Sequence, residues 1–307
     1  MDISLKKTIE IGALRLAISP NKRYIAASSE RCVRILSVPS LKILWKLPIS
    51  HTVSMVFSDD SKMLIATTTT GEIYRWSADG SETLGKWPKE LWYEGPIFYC
   101  NDGCIALACR NSISVFNIHT KEFRSILNCA LKTPHIAGIL GDKIAIIIID
   151  DSSVRQEIVT QWISTKGDIL STCRASEKVV LRQYSLPNLL SNGTIALLSA
   201  PSWFGKFGTI SIFGPDGHMK KYDIIPKEYD VSGCRVASSE KYIAVAHEVC
   251  PHRVTIYVYN PCTYMSCIEE GILCGSLDIN PPSDVLFLSE NELLVGTWER
   301  LMLFSIE

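Results

Sequence analysis

The chain has 307 residues, 47% hydrophobic and 21% charged, so it has ample apolar surface to bury and general disorder is excluded. Its 31 Lys and Arg against 32 Asp and Glu leave a formal net charge of −1. That balance offers no global field for nucleic acid or an anionic membrane, and any such contact has to be local. No glycine- or proline-rich stretch divides the chain, so its length favours one large domain or a repeat array.

At the amino terminus, Lys6, Lys7, Glu10 and Arg15 interrupt every short apolar patch, and no run reaches signal-peptide length. The most apolar internal run, Ile144 to Ile149, falls far short of the roughly 20 residues that cross a bilayer. The cysteines number 11, an odd count with no C-x-x-C pair, which fits a reducing, cytoplasmic setting and thiols that pack as small core hydrophobes.

Along the chain one layout recurs: an apolar strand, a polar turn, a second apolar strand, then small hydroxyl residues. It runs RLAISPNKRYIAASS from 15, SMVFSDDSKMLIATT from 54, IFYCNDGCIALACRN from 97 and AGILGDKIAIIIID from 137. It continues as YSLPNLLSNGTIALLS from 184, CRVASSEKYIAVAHE from 234 and DVLFLSENELLVGTW from 284. Each copy goes on to a third strand that often ends in an aromatic residue, such as IYRW from 73 or ISVF from 113. Most copies add a fourth, more polar strand, such as SLKILWKL from 40 and GHMKKYDII from 217. Turn residues sit where hairpins must reverse, as in Asn101-Asp102-Gly103 and Pro215-Asp216-Gly217. The fold class is therefore all-β, built of four-stranded antiparallel units.

The residue opening each second strand is Ile25, Leu64, Ile105, Ile144, Ile195, Ile243 and Leu294, with spacings of 39, 41, 39, 51, 48 and 51. Seven such units match the repeat size of a β-propeller. The expected architecture is a single seven-bladed propeller over 1–307, with blades at about 12–49, 50–90, 91–130, 131–176, 177–228, 229–271 and 272–307. The last copy ends after its third strand, and the extended segment Ser4 to Ile11 is expected to complete that blade, hiding an open edge.

The second copy carries Phe57-Ser58-Asp59-Asp60 at one turn and Trp76 at the end of its third strand. On these residues the chain resembles the WD-repeat β-propellers. Ser77 follows Trp76 where that family usually has Asp, and Thr70 takes the place of its tight-turn Asp. The His, Ser/Thr, Asp and Trp tetrad that braces such blades is therefore expected to be missing, leaving apolar packing to hold them. The resemblance implies a rigid, non-catalytic platform for proteins or peptides, acting as a monomeric propeller within a complex.

The longer spacings point to added segments between second and third strands at Asp150–Glu157, Ala200–Gly208 and His247–Arg253. Such segments share one face of a propeller, so blades four to six are expected to form a raised contact rim. Within it, Trp203, Phe204, Lys206 and Phe207 form either a partner anchor or a plug folded back over the blade. Trp92 lies in a second aromatic segment, 87–93, which either packs over a blade junction or meets the same partner.

His247, Cys250 and His252 are metal-ligand types at a spacing that matches no zinc pattern, so neither metal nor cofactor is expected. Asp150 and Asp151 read as a solvated turn or as acid–base groups. Lys220 and Lys221 are too little charge for a nucleic-acid footprint. No nucleophile elbow, H-E-x-x-H or phosphate-binding glycine loop occurs. The competing class is a small-molecule-binding or hydrolytic propeller with a site at the central channel.

Overall fold

The computed structural model describes residues 3–88, 95–100, 103–129, 133–149, 157–175, 183–184, 187–189, 193–200, 209–214, 219–223, 231–239, 242–249, 253–259, 272–273 and 283–307. Every regular element among them is a β-strand. They cluster into two compact units, Ala17–Val179 and Met1–Leu16 with Val180–Glu307.

Residues 15–174 form four antiparallel sheets of four strands each, ordered as in the chain. The first sheet is Arg15–Ile18, Tyr24–Ser28, Val33–Ser37 and Ile43–Leu47. The second is Thr52–Phe57, Met63–Thr68, Glu72–Ser77 and Gly80–Lys86. The third is Ile97–Cys100, Cys104–Ala108, Ser112–Asn117 and Glu122–Asn128, and the fourth is Thr133–Leu140, Lys143–Ile149, Ile158–Ser164 and Ile169–Arg174.

Their second strands read as continuous apolar runs because both faces are covered. Leu64 and Ala66 pack with Ala26, Ile35 and Leu47 of the first sheet. Ile65, between them in sequence, joins Ile105, Leu107 and Phe116 of the third sheet. Ile144, Ile146 and Ile148 then meet Ala106, Ile113 and Val115. The two-residue period of a strand thus gives each sheet to both neighbours, and each large apolar side chain so buried contributes about 1.5–3 kcal/mol.

The turns repeat with the sheets. Ser19 Oγ donates to Asn21 Oδ1 at 2.8 Å and accepts from Tyr24 N at 2.9 Å. In the second sheet Ser58 Oγ donates to Asp60 Oδ1 at 2.6 Å and accepts from Met63 N at 3.0 Å. Lys22 and Ser61 hold the left-handed position of the two turns, and Asn21 N donates to Ser61 Oγ at 3.0 Å.

In the second unit, the short strands Gln183–Tyr184 and Asn188–Leu189 both pair Ile195–Ala200, which continues to Thr209–Phe213 and Met219–Asp223. One first strand was expected there; Pro187, which has no N–H for a ladder, lies between its two pieces. The sixth sheet is Val231–Ser238, Ile243–Val249, Arg253–Tyr259 and Ile272–Leu273, whose last strand pairs Thr255 and Ile256 just past the boundary expected at 271. The seventh is Asp284–Ser289, Glu292–Gly296 and Leu301–Ile306, and the amino-terminal strand Ile3–Ile9 pairs antiparallel with Leu301–Ile306. That pairing is the one expected of the amino-terminal segment, and Gly296 is needed beside it. A Cβ there would stand 2.3 Å from the Ala13 carbonyl oxygen.

The fourth strands of the first four sheets, and the amino-terminal strand, share a feature the repeats do not announce. Leu44, Leu84, Ile126 and Leu170 are each skipped in the ladder with the neighbouring third strand, and Lys6 is skipped in the amino-terminal strand. Each is a β-bulge on an edge strand, which bends the edge and discourages pairing with another chain.

Candidate functional site

The strand ends fix where the added segments lie. In the fourth sheet the interval between second and third strands is 150–157, and in the fifth it is 201–208, both where the spacing put them. The sixth sheet departs from expectation. Its second strand continues through His247 to Val249, opposite Arg253–Thr255, so the interval shrinks to 250–252 and the added length follows the third strand. The alternating apolar run through Val249 favours a longer strand over the expected loop.

Trp203, Phe204, Lys206, Phe207, Trp92, Cys250, His252, Asp150 and Asp151 lie outside the described residues. His247 lies in a strand, in register with Thr255. Among the described residues no three His, Cys, Asp or Glu side chains gather as a metal site. Trp87, which opens the aromatic segment 87–93, is buried against Phe116 and Phe123 at ring distances of 6.2 and 4.8 Å.

At the second-sheet turn that carries Thr70 stands a chain of hydrogen bonds. Thr68 Oγ1 and Thr70 Oγ1 are 2.9 Å apart, Thr70 donates to Glu72 Oε2 at 3.3 Å, and Tyr74 Oη donates to the same oxygen at 3.0 Å. Burial and the Glu72 carboxylate push the Tyr74 phenol above its ordinary range. The corresponding turn of the seventh sheet exposes Trp298 and pairs Arg300 with Glu10 at 3.2 Å.

Buried titratable groups serve packing. Burial holds the His135 imidazole down at about 4, in its neutral form, and lifts the Cys129 thiol to about 11. Cys32, Cys100, Cys104 and Cys109 are buried, as expected of small core residues.

The first-sheet edge was read from sequence as a polar strand and is something else. Ile43, Leu44 and Trp45 are 43%, 39% and 39% exposed in succession. The Trp45 ring lies 5.1 Å from Trp76 and 6.0 Å from Tyr24, so the edge is an aromatic ledge flanked by Lys42 and Lys46. Two signals were available: an Ile-Leu-Trp run that breaks alternation, and the charge of the repeat. Between residues 17 and 49, Lys22, Arg23, Arg31, Arg34, Lys42 and Lys46 face one acid, Glu30, a local charge of +5 in a chain of −1.

Four-stranded antiparallel sheets stacked face to face through shared apolar layers define the class, a β-propeller. The chain is similar over its full length to a solved β-propeller domain, that of Cps50 (Swd1) from Myceliophteria thermophila. The identity is 12%, the TM-score 0.68, and 100% of each chain is covered. In all, 1343 solved chains match, so the fold is widely shared and selects no function by itself. No protein-family profile and no curated protein sequence matches the chain.

Proposed function

We propose that this chain is a seven-bladed, WD-repeat-like propeller, closed by its amino-terminal strand, that serves in the cytoplasm as a non-catalytic scaffold for a protein or peptide partner. The observation that carries the reading is the position of the added length. In the fourth and fifth sheets, segments 150–157 and 201–208 both interrupt the passage from second to third strand, while the strands around them keep the repeat. In a propeller these passages emerge on one face, and successive repeats with insertions there often use that face for binding. The anchors we propose for that face are Trp203, Phe204, Lys206 and Phe207, with Trp92 from the connection between the second and third sheets as a further candidate. The sixth sheet contributes no long segment of this kind.

The test is affinity capture from native lysate with wild type and the Trp203→Ala/Phe207→Ala variant. Specific partners held by the first and lost by a variant of unchanged melting temperature are expected. Retention of every partner by the folded variant overturns the rim.

A further inference from the structure

We infer that the exposed edge of the first sheet is a second docking surface, which takes an extended acidic segment with an apolar side chain between two carboxylates. The surface shares no residue with the proposed rim and lies wholly among described residues. Its apolar floor is Ile43, Leu44 and Trp45, each partly open to solvent. Contiguous exposed apolar residues on an edge strand are a liability unless something covers them. The bulge at Leu44 breaks the ladder there, so a partner is held by side chains more than by strand addition.

Charge selects the partner. Lys42 and Lys46 close the two ends of this run, about 13 Å apart or slightly less given the bulge, at 3.3 Å per strand residue; because the bulge shifts the alternation, Lys46 shares a face with Ile43 and Arg34 and Lys42 lies on the side of Trp45. Arg34 stands directly opposite Lys46 in the ladder, a like-charge pair that costs stability unless an anion arrives. At the other end Arg23 is drawn close, its carbonyl accepting from Val38 N at 2.9 Å beside the Ser37–Lys42 turn bond. Two acids of the second sheet are already engaged. Glu82 pairs with Arg75 and Lys121, and Asp60 accepts from Ser58 and Lys62 N. A peptide lying along this open edge meets one cation at each end, so carboxylates about four residues apart span the Lys42–Lys46 distance and leave a central apolar side chain against the bulged Leu44.

A peptide is favoured over the other polyanions by the shape of the floor. Trp45 is folded onto Trp76 and Tyr24, so its ring is neither free to stack on a base nor projected for insertion into a bilayer.

The experiment is fluorescence anisotropy on the full chain. The probes are a labelled peptide with the core Glu-Ala-Leu-Ala-Glu, its Lys-for-Glu and Ser-for-Leu counterparts, a single-stranded oligonucleotide, and phosphatidylserine-containing vesicles. Saturable binding of the first peptide is expected, weakened about tenfold in Lys42→Glu/Lys46→Glu and several-fold in Leu44→Ser, with the melting temperature of each variant as the fold control. Equal binding of the Lys-for-Glu peptide, tighter binding of oligonucleotide or vesicles, affinity unchanged in both folded variants, or no saturable binding of the acidic peptide each overturns the inference. Because Trp203 and Phe207 are untouched, failure here leaves the rim standing, and failure of the rim leaves this surface standing.

Discussion

Two aromatic clusters in the first four sheets are built alike and end differently. Trp87, Phe116 and Phe123 meet at ring distances of 4.6 to 6.2 Å, and Tyr24, Trp45 and Trp76 at 5.1 and 6.0 Å. Phe116 and Trp76 occupy the same place near the end of a third strand. Across the ladder, Phe116 faces Phe123 of its own sheet, whereas Trp76 faces Ser81. With Ser81 too small to cover it, Trp76 is capped by Trp45 from the preceding sheet, and Trp45 is left 39% exposed while Phe116 is fully buried. One small residue in a fourth strand thus separates a sealed junction from a surface that can receive a partner.

The sharpest break between the two clusters is energetic. Phe116→Ala removes a wholly buried ring and leaves a cavity, a loss expected at about 3–5 kcal/mol. Trp45→Ala removes a ring already facing water on one side, and its loss is expected to be less than half as large. Urea midpoints of the two variants check the order, and equal losses would erase the distinction drawn here.

A pH series sharpens what being sealed means. His135, in the first strand of the fourth sheet, is 4% exposed and stays neutral when folded down to about pH 4, against an ordinary value of 6.5. Above pH 6.5 both states are neutral and the stability is fully present. As pH falls below 6.5 the unfolded imidazole takes a proton that the folded one refuses, and stability drops by about 1.4 kcal/mol per pH unit until levelling near pH 4. The total approaches about 3 kcal/mol. In His135→Asn that slope between pH 6.5 and 4 is expected to flatten in urea titrations; an unchanged slope would place the proton uptake elsewhere.

The sealed region was the more legible one. Runs such as MLIATT and KIAIIII, bounded by serine- and glycine-containing turns, carry both strand identity and burial on two faces, because alternate side chains serve different neighbours. The Ser19 and Ser58 turns could be read for the same reason: their hydroxyls and the following Asn or Asp make local bonds that need no tertiary context. The Trp45 ledge was legible only in part: the Ile-Leu-Trp run and the local charge mark the edge, but the exposure of Trp45 depends on what stands opposite Trp76, a relation between two sheets. The extent of the strand at His247 also escaped, because a ligand-type residue in a strand and one in a loop look alike until the ladder with Thr255 is known.

The smallest expected effect has the most informative sign. Lys46 and Arg34 are directly opposed on the first-sheet edge, so Lys46→Glu replaces a repulsive cross-strand pair with an attractive one. A gain of about 0.2–1 kcal/mol is expected, shrinking as salt is raised because the pair lies at the surface. The same substitution removes one of the two cations proposed to hold the acidic peptide. Stability and peptide affinity should therefore move in opposite directions in one variant, a result that loss of fold cannot imitate. If Lys46→Glu instead destabilises the chain at low salt, the like-charge pair is not a strain that a partner relieves, and the charge argument for this edge fails with it.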